Sequence, residues 1–158
     1  MHKAGILVSL GTDGCSTNEG SNMLETLRLA YLMQTFRNKD RTGCPRPYDI
    51  LKMGTAGGAK TLGREDIGYL APSMAADFFL VDVGTLEFAG ALHDAKNILP
   101  KLGVSGPVDM TVINGKIVFE DGALPGINER QLAREGESVC TRVLRKNCSV
   151  FQRLATEM

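Results

Sequence analysis

The chain has 158 residues, 43% of them hydrophobic, which is about one ordinary domain with enough apolar material for a core. Eighteen basic residues balance eighteen acidic ones, which excludes a field that would steer nucleic acid or an anionic membrane toward the surface. No apolar run reaches the length of a membrane span, and the N-terminus lacks the residue order of a signal peptide, so the expected location is the cytoplasm.

The opening run Ile6-Leu7-Val8-Ser9-Leu10 has little apolar/polar alternation and predicts a strand over Gly5 to Leu10, buried on both faces between parallel neighbours. It ends in Gly11-Thr12-Asp13-Gly14. A carboxylate at the end of a buried parallel strand stands where barrel and open α/β enzymes place their chemistry; Asp before Gly is most often an ordinary turn residue. The loop to Gly20 holds Cys15, Ser16 and Asn18. Cys15 either fills the loop or looks into the same site, and Ser16, Asn18 and Asn22 either contact a ligand or form turns and caps.

Ser21 or Asn22 can cap a helix from Met23 to about Phe36, with Asn22 and Glu25 at capping-box spacing. Pro47 or Asp49 starts a second helix through about Thr55, Gly57-Gly58 is expected to break it, and a short third helix runs to Leu62 with Gly63 as its stop. Ala76 to Val83 reads as an apolar strand region flanked by Asp77 and Asp82. Met110–Ile113 and Lys116–Phe119 flank Asn114-Gly115, a strong hairpin signal, so a separate antiparallel sheet is expected. Asp94 to Leu102 reads as a short helix, and Glu129 to Met158 as a long terminal helix interrupted at Gly136. The cysteines at 15, 44, 140 and 148 have no metal-knuckle or disulfide spacing and read as reduced thiols.

Four stretches then form an ordered set: Leu10-Gly11-Thr12-Asp13-Gly14, Thr55-Ala56-Gly57-Gly58-Ala59-Lys60-Thr61-Leu62-Gly63, Ile67-Gly68-Tyr69-Leu70-Ala71-Pro72 with Ala76-Asp77, and Val112-Ile113-Asn114-Gly115-Lys116. Together they resemble the carboxyl-terminal part of the metal-dependent amidohydrolase superfamily over residues 5 to about 125. Ser21-Asn22-Met23 and Phe88-Ala89-Gly90-Ala91-Leu92-His93-Asp94 are most similar to its cyclic purine and s-triazine aminohydrolases, the 8-oxoguanine deaminase and hydroxyatrazine hydrolase branch.

The resemblance implies an α/β fold: the C-terminal portion of a (β/α)8 TIM-type barrel, contributing its last strand and helices, plus part of a small β-sandwich and a C-terminal helix. The corresponding division is 1–67, 68–125 and 126–158. It also implies that Asp13 binds a divalent metal, zinc first and iron as the alternative, and shuttles the proton as metal-bound hydroxide attacks the ring of an 8-oxoguanine-like purine or an s-triazine. The implied partners are the small heterocyclic substrate, the missing N-terminal barrel portion and, in the full-length protein, further copies of itself.

The sequence departs from the family pattern in its metal ligands. A catalytic zinc needs about three protein ligands, yet the family's His-x-His pair, mid-barrel histidines and glutamate acid are not in this sequence. Its only histidines are His2 and His93; His2 precedes the strand at its non-catalytic end and His93 falls in the sandwich part. Asp77 and Asp82 read as strand flanks. A complete barrel takes about 250 residues, so a fragment is expected, inactive alone and unable to retain the metal. A smaller departure is Ser73, where the family more often has glycine. The alternative function is a metal-free interaction or oligomerisation module.

Overall fold

The computed structural model describes residues 4–14, 20–37 and 41–146. Helix α1 spans Met23–Arg37, α2 Pro47–Gly54 and α3 Ala56–Thr61. Asn22 caps α1 as its sequence suggests: its Oδ1 accepts the amides of Leu24 at 3.0 Å and Glu25 at 3.2 Å, satisfying two donors a helix start otherwise leaves open. Pro47 sits in the first turn of α2, where its missing N–H costs nothing.

The break between α2 and α3 lies at Thr55 (φ −121°, ψ −96°) and not at Gly57-Gly58, which are inside α3. Gly57 is needed there for space: a Cβ would stand 2.9 Å from the Val8 carbonyl oxygen and 3.1 Å from that of Lys52. Gly63 does stop α3, with φ +66°, while Arg64 N–H donates back to the Ala59 carbonyl at 3.0 Å. Ser73 adopts φ +68°, the left-handed region that favours glycine.

Helix α4 is confined to Ile98–Lys101, preceded by a 3₁₀ stretch Ala91–Asn97 that kinks at Asp94 (φ −139°, ψ 51°). A continuous helix from Asp94 would bury Pro100 in its interior and lose a backbone bond there; starting at Ile98 keeps Pro100 in the first turn. Helices α1, α2 and α4 pack on one another around Leu27, Ile50 and Ile98, all buried.

Strands β1 (Phe78–Leu80), β2 (Met110–Ile113) and β3 (Lys116–Glu120) form one antiparallel sheet in that order. Phe78 pairs with Val112 and Ile113 with Lys116. Asn114 and Gly115 both have positive φ, +48° and +75°, as a two-residue turn of the right hand requires. The same device recurs at Asp121-Gly122 (φ +50° and +77°), which folds Ala123 back onto Glu120. Helix α5 runs Glu129–Lys146 straight through Gly136, and the rest of the expected terminal helix lies outside the described residues.

The expected opening strand is not formed: residues 6–14 belong to no helix or strand. A parallel strand takes its bonds from neighbours about 4.8 Å to either side, and among the described residues no strand flanks this segment.

Candidate functional site

The apolar segment 6–10 nonetheless has a fixed seat. The Leu10 amide donates to the Met53 carbonyl at 3.2 Å, and the bare Cα of Gly57 lets Val8 approach α3. Two clefts open beside it, about 360 Å³ between residues 5–8 and the α2–α3 pair, and about 660 Å³ between Val8, Leu10 and the Cys44–Arg46 segment. Asp13 lines neither cleft.

Asp13 follows this segment, exposed, with φ +67°. Its Oδ1 accepts the Gly14 amide at 2.7 Å, and the Thr12 hydroxyl donates to its carbonyl at 3.3 Å. The left-handed backbone, which Asp tolerates better than most residues, turns the chain sharply and presents the carboxylate at the end of the segment. Cys15, Ser16, Asn18 and His2 lie outside the described residues. Asn22 caps α1, so its amide oxygen has a structural partner.

The remaining candidates are elsewhere. Asp77 Oδ1 accepts the Asn114 amide at 2.6 Å and ties the hairpin turn to the approach of β1. Asp82 Oδ1 accepts the Gly84 amide at 2.8 Å, and the Asp82 amide donates to Asp109. Both acids therefore serve the sheet. His93 is exposed on the 3₁₀ stretch before α4.

Among the described residues no group of three His, Cys, Asp or Glu side chains comes together as a metal site. A single exposed carboxylate does not satisfy the three or more ligands of a tetrahedral zinc centre, so this donor set does not fit a complete metal site.

The acid that sequence reasoning passed over as a mere helix start is Asp49, only 7% exposed. Its carboxylate meets Arg46 Nε at 3.1 Å and Lys52 Nζ at 3.0 Å, and accepts the Arg46 amide at 3.3 Å. The Arg46 hydrogen bond first, aided by Lys52, holds its pKa down to about 2 against the opposing effect of burial. A carboxylate that weakly basic is unsuited to proton transfer near neutrality; it fastens the first turn of α2 under the 660 Å³ cleft, where it is one of the lining residues. The signal was the pair of cations three residues to either side of a single acid.

The model of the amidohydrolase family matches residues 1–118. Hydroxydechloroatrazine ethylaminohydrolase of Pseudomonas sp. (strain ADP) is 49% identical over 145 residues, 91% of this chain and 30% of that protein. A 5-methylthioadenosine/S-adenosylhomocysteine deaminase of Pelotomaculum thermopropionicum is 35% identical over 91% of this chain and 33% of its own length. Among solved structures, atrazine chlorohydrolase TrzN of Arthrobacter aurescens, complexed with zinc, superimposes with a TM-score of 0.79 at 29% identity, over 87% of this chain and 30% of that one. The chain thus spans about a third of the length of the proteins it matches.

Proposed function

The chain belongs to the amidohydrolase family, and from that premise we propose that it forms one part of an aminohydrolase acting on an amine-bearing nitrogen heterocycle. An 8-oxoguanine-like purine or an s-triazine is the substrate class. The observation that carries this reading is the exposed Asp13 carboxylate, set by a left-handed turn after an apolar segment that Leu10 and Gly57 hold against α2 and α3. The likeness to proteins named for removing amines from triazine and adenosine-type compounds supports it.

In this reading residues 1–67 supply the last barrel strand and its helices, 68–125 a share of the small sandwich and 126–158 a terminal helix. The segment 6–10 becomes a true strand once flanking strands take up its backbone groups. Asp13 accepts a proton from the water that attacks the amine-bearing ring carbon, and returns it to the departing nitrogen, leaving an oxo ring and the free amine. A divalent ion would be held by Asp13 together with residues beyond this chain, and would supply the acidification of the attacking water.

The test is a chimera in which this chain replaces the matching third of the Pseudomonas relative. Release of amine from a hydroxylated s-triazine, 8-oxoguanine or adenosine-type substrate is expected from the zinc-loaded chimera. A folded, zinc-containing chimera without hydrolytic activity on any of the three overturns the reading.

A further inference from the structure

The chain holds one Asn-Gly pair, Asn114-Gly115, and it forms the exposed tip of the β2–β3 hairpin. An asparagine side-chain amide is an electrophile one peptide bond away from the nitrogen of the next residue, and glycine leaves that nitrogen unhindered. A Cβ built on Gly115 would meet nothing within 4 Å, so water also reaches the turn. Asp13-Gly14 and Asp121-Gly122 share the glycine, but a carboxylate is a poorer electrophile than an amide.

Two contacts hold this pair out of reacting geometry. Gly115 N–H donates to the Ala76 carbonyl at 3.1 Å, and Asn114 N–H donates to Asp77 Oδ1 at 2.6 Å. Both acceptors lie just before β1. Attack needs the Gly115 nitrogen turned toward the Asn114 side-chain carbon and stripped of its proton, whereas the bonded turn fixes both residues at positive φ with that N–H engaged. We propose that Asn114 is a site of spontaneous deamidation and that Ala76 and Asp77 restrain it. In the reaction the Gly115 nitrogen gives its proton to solvent and bonds to Cγ of Asn114. The Cγ–Nδ2 bond breaks, and the side-chain nitrogen takes a proton from solvent and leaves as ammonia. Water then opens the cyclic imide. Cleavage at Cγ gives aspartate, and cleavage at the main-chain carbonyl gives isoaspartate, which carries an extra carbon in the backbone. That extra carbon shifts Ile113 against its partner Lys116 and opens the hairpin. The modification is independent of the catalytic reading.

The test is peptide-mapping mass spectrometry of the whole chain during incubation at mildly alkaline pH, folded and in urea, with circular dichroism to confirm each variant's fold. Asn114→Asp, which has no amide to lose, provides the product standard. Deamidation of Asn114 is expected in urea, and at least about tenfold more slowly in the folded chain, where it proceeds through local opening of the turn. Asp77→Ala should raise the folded rate about tenfold, as loss of one hydrogen bond to a charged group does, and leave the rate in urea unchanged. Asp77→Asn, which keeps an acceptor oxygen, should stay within about threefold of the parent. In the parent itself, hydrogen exchange at Gly115 and deamidation should rise together at urea concentrations below unfolding. Absence of deamidation in urea overturns the proposal, and so does an equal rate in the folded chain. A folded Asp77→Ala chain at the parent rate, or deamidation that does not follow Gly115 exchange, overturns it as well.

Discussion

Asp49 shows how one side chain ties local sequence to stability. It is buried in the first turn of α2 between Arg46 and Lys52, where the helix dipole adds to the two cations. Its folded pKa, about 2, lies below the ordinary carboxylate value of 3.8. The ionised form is therefore favoured by folding, and that stability is complete above the unfolded value and lost as pH falls through about 2. With partners that are partly solvated, the contribution is about 1–2 kcal/mol. Asp49→Asn is expected to lower the urea midpoint at pH 7, and to differ little from the parent at pH 2. An equal loss at both pH values would show that packing, and not charge, is responsible. Asp13 is the contrasting acid: exposed, bonded to the next amide and free of such a cationic clamp among the described residues.

At the scale of elements, the seat of the opening segment depends on α3. Gly57→Ala places a methyl 2.9 Å from the Val8 carbonyl, so either the segment or the helix must move, at a cost of about 1–3 kcal/mol. Gly58→Ala, with nothing within 4 Å, should instead stabilise α3 by up to about 1 kcal/mol through helix propensity. Thermal unfolding of the two variants checks the sign of each change, and hydrogen exchange at Leu10 reports whether the segment has detached. Elements governed by local chemistry were legible in the sequence: Asn22 marks the start of α1, and Asn114-Gly115 the hairpin. Asp121-Gly122 obeys the same rule, although the sequence reading did not single it out. The opening strand was not legible, because strand formation is decided by neighbours, and among the described residues no strand flanks residues 6–10. Nor was the exposure of Leu29, Leu32, Met33 and Phe36 on α1: with apolar side chains on opposite faces, no single face stands out. Of the proposed site, only the place of Asp13 after an apolar run was legible, whereas Cys15, Ser16 and Asn18 lie outside the described residues. Gly57's role required knowing what crosses it.

For the whole molecule, the surface is large for the mass. The chain exposes 12232 Å² at 17.0 kDa, against roughly 7,700 Å² for a compact monomer of that mass. Ile6 and Leu7 are each 54% exposed, which is expensive for an apolar segment unless something covers it. The chain spans about a third of its relatives' length, and the proposed activity belongs to a site shared with the remainder. No helix among the described residues is long and apolar enough to cross a membrane. The central claim is that Asp13 carries the proton in that shared site. Its most direct measurement is the single-turnover rate of the zinc-loaded chimera with Asp13 and with Asp13→Asn, at matched zinc content and matched thermal stability. A loss of about 10²-fold to 10⁴-fold in the asparagine variant is the expected result for a removed acid–base group, and an unchanged rate would contradict the account.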